Sequence, residues 1–131
     1  MNRVGIYPVQ KGLYADERGW AAFPFQAGLE RTPLGIDLSS LHAVMTEPGG
    51  VRGNHRHPES AEWLYVHGGV FDLYWEEDGR PCSASLQGPH LIHVPADTAH
   101  TLRNTGPAPL FLVAFRETAV GEPHTVGAPL V

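Results

Sequence analysis

Glycine and proline interrupt this chain every few residues, and this pattern limits the possible folds more than any other feature. The 131 residues include 15 glycines and 12 prolines. Because both residues favour turns and neither suits the interior of a helix, the pattern predicts many short strands and no long helices. A chain of this length supports one hydrophobic core, so we expect a single all-β domain.

Strand patterns fill the intervals between these turns. Residues 70–75 alternate between polar and apolar positions and lead into Asp78-Gly79, a dipeptide typical of a tight hairpin, so residues 81–86 are predicted to return as the next strand. The continuous apolar run at residues 110–115 predicts a fully buried strand. Shorter strands are predicted at residues 43–46, 63–66, 91–94 and 101–103.

These strands define the expected domain organisation. We expect residues 1–131 to form one domain with a core at about residues 36–117. Residues 1–35 would add N-terminal strands, and residues 118–131, which are rich in glycine, proline and small side chains, would form an irregular tail.

Charge and hydropathy exclude several classes of function. The formal net charge is −5 with nine Lys and Arg residues, which argues against a nucleic-acid surface. The N-terminus lacks the 7–15-residue apolar core of a signal peptide, and no segment approaches about 18 apolar residues. The single cysteine, Cys82, cannot form an internal disulfide. We therefore expect a cytoplasmic protein that binds neither nucleic acid nor membrane.

Three histidines and one glutamate form a candidate metal site. His55 and His57 are two residues apart, so on a strand they share one face with Cα atoms about 6.5–7 Å apart. Glu62 follows five residues later, and His100 follows a turn that contains proline and aspartate. This mixed nitrogen and oxygen set suits zinc, iron, manganese, nickel or copper better than magnesium or calcium.

The spacing of these residues resembles that of the cupins. Their first motif is matched by Gly49, His55, His57, Glu62 and Gly69, and their second by Gly88, Pro95, His100 and Asn104. Asp97 replaces the middle glycine of the second motif, a substitution that a turn tolerates. The resemblance implies a jelly-roll barrel, also called a double-stranded β-helix, with the four ligands inside its mouth.

Two groups of cupins share further residues with this chain. The Arg52-Gly53-Asn54-His55 segment resembles deoxysugar 3,5-epimerases, and so does the segment of residues 16–20, in which the family's arginine, here Arg18, contacts nucleotide phosphates. Those epimerases have glutamine at His57 and need no metal. A closer resemblance is to the C-terminal cupin domain of capsule-biosynthesis UDP-sugar reductases, through the segment of residues 52–57, Glu62 and the second motif. That resemblance implies a zinc ion and 3-epimerisation.

Together these features predict an epimerase or isomerase that acts on a nucleotide-activated keto sugar in polysaccharide biosynthesis, with zinc as the expected ion. The chain is also expected to form a homodimer. The candidate substrate-binding residues are Arg18, Arg52 and Trp63. The candidate proton-transfer residues are Tyr65, His67 and Tyr74.

Other interpretations of the same residues remain open. A site with three histidines and one glutamate also suits a metal-dependent dioxygenase or an oxalate-degrading enzyme. A cupin could instead bind a small molecule without turnover. In a metal-free enzyme, His55 could itself be the general base, a role that metal ligation would exclude because the ion would occupy its lone pair.

Overall fold

The computed structural model describes residues 3–27, 29, 31–119 and 124–131, and almost all of its regular structure is β. One 3₁₀ turn, Pro24–Ala27, lies near the N-terminus. The strands are β1 Gly5–Pro8, β2 Leu13–Asp16, β3 Gly19–Ala22, β4 Asp37–Thr46, β5 Val51–Arg56, β6 Glu62–His67, β7 Val70–Glu77, β8 Arg80–Gln87, β9 His90–Val94, β10 His100–Asn104, β11 Leu110–Arg116 and β12 Val126–Gly127.

Two antiparallel five-stranded sheets form the body of the structure. Sheet I has the strand order β1-β9-β6-β11-β4, and sheet II has the order β12-β5-β10-β7-β8. Strands β2 and β3 form a separate two-stranded hairpin. Neighbouring strands in the sheets are mostly distant in sequence, as in a jelly roll, so the all-β jelly-roll prediction is confirmed.

The hydrophobic core lies between the two sheets. Sheet I contributes the buried side chains of Val66, Ile92 and Leu112, and sheet II contributes those of Phe71 and Leu73. Each of these residues alternates along its strand with a residue on the outer face, as the two-residue period of a strand requires. Burial of this inner face is the main source of stability.

The predicted strands lie within observed strands, and the predicted hairpin is present. Asp78 and Gly79 have φ angles of 51° and 73°, as a two-residue turn with both central residues in the left-handed region requires. One prediction was wrong, because residues 110–115 are not fully buried. Phe111 and Val113 are 53% and 44% exposed on the outer face of sheet I, while the alternate residues face the core.

The predicted irregular tail, residues 118–131, also contains a short strand. Val126 and Gly127 form β12, which pairs antiparallel with Arg56 and His55 of β5. The pairing was not visible in the sequence because a two-residue strand has no period. No helix in the described part of the chain is long and apolar enough to span a membrane.

Candidate metal centre

Both predicted motifs meet at one end of the space between the sheets. One candidate ligand atom from each of His55, His57, Glu62 and His100 lies within 4.8 Å of the others. His55 is near the end of β5, His57 follows that strand, Glu62 begins β6 and His100 begins β10. His57, Glu62 and His100 are buried, and His55 is half-buried.

Strand pairing explains why the two motifs come together. β5 and β10 are neighbours, with His55 opposite His100. This close approach depends on Gly53, whose φ is 115° and where an added Cβ would lie 2.7 Å from the His100 carbonyl oxygen. The turn before β10 is tied to the first motif, since the Asp97 amide donates to the His57 carbonyl oxygen at 2.8 Å. Asp97 has a φ of 61° at the position of the family's glycine, a conformation that aspartate tolerates.

Two of the imidazole rings are oriented through their Nδ1 atoms. His100 Nδ1 lies 2.9 Å from the Thr98 carbonyl oxygen, and His57 Nδ1 lies 3.1 Å from Thr125 Oγ1. The Nε2 atoms therefore face Glu62 Oε1, at 2.9 Å from His100 and 3.6 Å from His57. An outer hydrogen bond of this kind is typical of histidines that bind a metal through the other nitrogen.

The electrostatics of the cluster favour a carboxylate at Glu62 and a neutral imidazole at His55. Burial by itself would raise the pKa of Glu62, but the hydrogen bond from His100 and the neighbouring His57 outweigh it and hold that pKa well below its usual range. Burial lowers the pKa of His55 to about 4, with further lowering from the charges of His100 and His57. Glu62 and His55 therefore keep lone pairs available at neutral pH, as metal ligands must.

A divalent cation fits this arrangement. Within the described residues, His57 Nε2 is buried and has no hydrogen-bond partner, although it is directed toward the centre of the cluster. A buried polar atom without a partner is costly, and a cation at this position would satisfy it. Nitrogen and carboxylate donors suit a first-row transition metal or zinc.

Three residues of the cluster, His55, Glu62 and His100, line a cavity of about 290 Å³ between the sheets. Aliphatic side chains form its inner wall, among them Val44, Leu64 and Ile92. Arg52 also lines it and donates from Nη2 to the Met45 carbonyl oxygen at 3.2 Å. The cavity therefore combines polar groups at the cluster with an apolar interior.

Sequence reasoning missed one residue of this cavity, His42. It lies on β4 and lines the cavity together with His55 and His100. Its Nδ1 is 2.7 Å from the Ser40 carbonyl oxygen, so Nδ1 donates to that oxygen, and in the neutral tautomer Nε2 carries the lone pair. The available signal was its position two residues before Val44, which places both side chains on the same face of the strand.

The structure does not bring the predicted proton-transfer residues to the cluster. Tyr65 and His67 lie on the face of β6 opposite to Glu62, where Tyr65 Oη is 2.6 Å from His67 Nδ1 and Trp20 stacks on His67 at a centroid distance of 3.6 Å. Tyr74 lies outside the barrel as well, because it follows the inward-facing Leu73 on β7, and it donates to Asp72 at 3.1 Å. The physical reason in both cases is the alternation of side chains along a strand.

The predicted substrate-binding residues are also separated from one another. Trp63 is buried on the outer face of β6, where its Nε1 donates to Glu117 at 2.7 Å. Arg18 lies in the turn between β2 and β3 and forms an exposed ion pair with Asp16 at 2.6 Å. Of the three, only Arg52 lines the cavity.

Comparison with protein families agrees with this geometry. A family model described as the cupin domain matches residues 42–116, more than half of the chain. The chain is a cupin. The matched segment runs from His42 to the end of β11 and contains all four residues of the cluster.

Curated relatives of this cupin are similar over part of their length. The chain is 33% identical to the oxalate decarboxylase OxdC of Bacillus subtilis over 76 residues, which are 56% of this chain and 20% of that protein. It is 31% identical to the protein SchB of Streptomyces halstedii over 81 residues, which are 62% of this chain and 56% of that protein. The cupin thus spans between a fifth and about half of the length of these relatives.

Solved structures resemble this cupin over nearly its whole described length. A dTDP sugar isomerase from Desulfovibrio desulfuricans superposes with a TM-score of 0.74 at 14% identity, over 96% of this chain and 83% of that one. A mutant of the 3,4-ketoisomerase QdtA from Thermoanaerobacterium thermosaccharolyticum, in complex with TDP-4-keto-6-deoxyglucose, gives 0.63 at 10% identity over 93% and 85%. The capsular polysaccharide assembling protein CapF from Staphylococcus aureus gives 0.62 at 18% identity over 95% and 35%. At these identities the similarity shows the fold alone.

Proposed function

We propose that this cupin is a metal-dependent isomerase or epimerase that acts on the sugar part of a nucleotide-activated keto sugar. The observation that carries the proposal is that His55, Glu62 and His100 of the cluster line one cavity together with the imidazole of His42. Isomerisation beside a ketone requires both features, since one group stabilises charge on the oxygen while another moves a proton. The resemblance of the fold to sugar isomerases supports the same reaction class.

The ligand residues would hold the ion, with zinc as our first choice. A cation held by His55, His57, Glu62 and His100 would act as a Lewis acid at the oxygen of the keto group. His57 and His100 are held for this role through their Nδ1 atoms. Glu62 supplies the negative charge that offsets part of the charge of the ion, because its carboxyl group is ionised at neutral pH.

His42 is the residue to which we assign proton transfer. Its hydrogen bond to the Ser40 carbonyl oxygen fixes the tautomer and leaves Nε2 as the basic nitrogen. Arg52, which lines the same cavity, is suited to contact an anionic group of the substrate, because guanidinium pairs well with phosphate. The aliphatic inner wall gives the cavity a low-dielectric surface, which strengthens these interactions.

The size of the cavity fits a sugar ring better than a whole nucleotide sugar. Its volume of about 290 Å³ lies at the lower end of the range of about 300–1,000 Å³ that is usual for small-molecule sites. The nucleotide would therefore remain outside the barrel. The exposed Arg18 of the β2–β3 turn is the proposed contact for its phosphates, and such a contact would compete with the ion pair to Asp16.

A deuterium-exchange experiment tests this function. The metal-loaded protein is incubated in D2O with TDP-4-keto-6-deoxyglucose and, separately, with UDP-linked keto sugars, and the proton beside the ketone is followed by NMR. We expect loss of that proton signal with the wild type. We expect the proton signal to persist with His57→Ala, which lacks a ligand, and with His42→Gln, which should keep its metal. Exchange at the wild-type rate in His42→Gln would refute the role of that residue, and absence of exchange with every keto sugar would refute the isomerase.

A second candidate, metal-dependent decarboxylase or oxygenase chemistry, is favoured by one observation. The chain is 33% identical to an oxalate decarboxylase over 76 residues. Consumption of oxalate or uptake of oxygen by protein loaded with manganese or iron would support this candidate. If zinc alone restores deuterium exchange in the keto sugar, the isomerase is favoured, because zinc has no redox chemistry.

We also propose that the chain forms a homodimer through the outer face of sheet I. Leu41, Met45, Phe111 and Val113 are each at least 43% exposed there. Adjacent exposed apolar side chains of this kind mark interaction surfaces. Light scattering should give twice the mass of one chain, and Phe111→Lys should give a monomer; a monomeric wild type would refute the proposal.

A further inference from the structure

The last described segment of the chain, residues 124–131, lies against β5, the strand that carries the candidate ligand His55 and leads into His57. We call this segment the strap. Its residues Val126 and Gly127 form β12 and pair with Arg56 and His55, and the Ala128 amide donates to the Asn54 carbonyl oxygen at 2.8 Å. Strand β10 occupies one edge of β5, and the strap occupies the other. The strap therefore holds β5 from the side away from the second motif.

The strap also contacts a ligand side chain directly. Thr125 Oγ1 lies 3.1 Å from His57 Nδ1. When the hydroxyl accepts the Nδ1–H, the proton of the neutral ring stays on Nδ1, and Nε2 carries the lone pair. That Nε2 atom is the buried one without a hydrogen-bond partner, and it faces Glu62.

Asn54 anchors the far end of the strap. Its Oδ1 accepts from the amides of Leu130 and Val131 at 2.8 and 3.1 Å, and its Nδ2 donates to the Val131 carbonyl oxygen at 3.1 Å. Asn54 has a φ of 57°, a left-handed conformation that asparagine adopts more readily than most residues. The residue directly before His55 thus binds the strap through three side-chain hydrogen bonds.

The near end of the strap has its own anchor. His124 Nδ1 lies 2.6 Å from Glu59 Oε1, and Glu59 is in the segment that joins His57 to Glu62. Thr125 is therefore placed between two attachment points, one at Glu59 and one at Asn54. Asn54 directly precedes the candidate ligand His55, and Glu59 lies between the candidate ligands His57 and Glu62.

We propose that the strap is part of the metal site and that Thr125 is the positioning residue for His57. This inference rests on the metal site of the proposed function. Thr125 does not touch the ion; it fixes the tautomer and orientation of the ring that would bind it. Loss of such an outer hydrogen bond typically weakens metal binding about 10–100-fold.

A matched pair of variants at residue 125 tests the proposal. The metal-free full-length chain is titrated with zinc in competition with a chromophoric chelator. Thr125→Val keeps the shape of the side chain and removes the hydroxyl, so we expect its zinc dissociation constant to rise about 10–100-fold. Thr125→Ser keeps the hydroxyl and should bind as the wild type does. Equal affinity of Thr125→Val and the wild type would overturn the proposal.

A second pair at Asn54 tests the anchor. Asn54→Gly retains the left-handed conformation but loses the three side-chain hydrogen bonds, whereas Asn54→Asp retains the oxygen that accepts from Leu130 and Val131. We expect weaker zinc binding in Asn54→Gly than in Asn54→Asp. Equal affinity of the two variants, or the reverse order, would overturn the role of the anchor.

A spectroscopic measurement distinguishes a positioning role of Thr125 from an unrelated change in zinc affinity. Long-range proton–nitrogen NMR of the metal-free protein reports which nitrogen of His57 carries the proton. We expect the Nδ1–H form in the wild type and in Thr125→Ser, and a mixture in Thr125→Val. Retention of the pure Nδ1–H form in Thr125→Val would overturn the positioning role. A folded wild type that binds no zinc would instead refute the metal site of the proposed function.

Discussion

Addition of zinc to the metal-free protein should raise its melting temperature by an amount that can be estimated. Before zinc is added, the buried Nε2 of His57 has no partner and Glu62 is an ionised group in the interior. A ligand that binds only the folded state at 100 times its dissociation constant stabilises that state by about 2.7 kcal/mol. With an unfolding entropy of about 2.1 cal/mol/K per residue, a chain of 131 residues should melt roughly 10 °C higher.

Differential scanning calorimetry with and without zinc measures this shift. His57→Ala removes one ligand and should lose most of the shift. His67→Ala is the matched control, because that imidazole lies on the outer face of β6, stacked on Trp20 and away from the cluster. If zinc produces no shift in the wild type, or an equal shift in wild type and His57→Ala, then the four residues do not form the site.

Three further results are expected. As pH falls from about 6.5 to 4, the metal-free protein should lose free energy of unfolding, measured in urea. The reason is that His55 becomes protonated in the unfolded chain in this range, whereas its pKa in the folded protein is about 4. His55→Asn should flatten this pH dependence. Phe71→Ala should lower the free energy of unfolding by about 3–5 kcal/mol, because the ring is fully buried, and a change below 1 kcal/mol would contradict the described core. Asn104→Ala should cost about 1–3 kcal/mol in the same assay, because the buried amide bonds to Thr46, Gly106 and Ala108, whereas the exposed Lys11→Ala should be neutral.

The sequence was sufficient to predict the class of fold and the four residues that cluster. His55 and His57 share a face because the strand period is two, and the spacing to Glu62 and His100 matched the cupin motifs. The turn signal of Asp78 and Gly79 was local, so it required no knowledge of the rest of the structure. These features depend on residues close in sequence or on a family pattern.

The remaining parts of the site depend on which face a side chain occupies. Tyr65 and His67 are an odd number of residues from Glu62, so the same two-residue period that paired the histidines also places them on the opposite face. That inference was available from the sequence. The same period places His42 on one face with Val44, but its spacing to the motifs does not predict the cavity, because only the packing of β4 brings His42 near His55. The strap was equally hidden, since Thr125 meets His57 through the edge of a sheet.

The arrangement of the cluster also makes the complete site depend on the closed fold. Glu62 and His100 are 38 residues apart along the chain, and His57 and Thr125 are 68 residues apart. The entropy of closing such long loops must be overcome before these contacts form, and structures dominated by distant pairings fold slowly. The complete cluster of four residues and the contact from Thr125 therefore exist only after the barrel and its strap have closed.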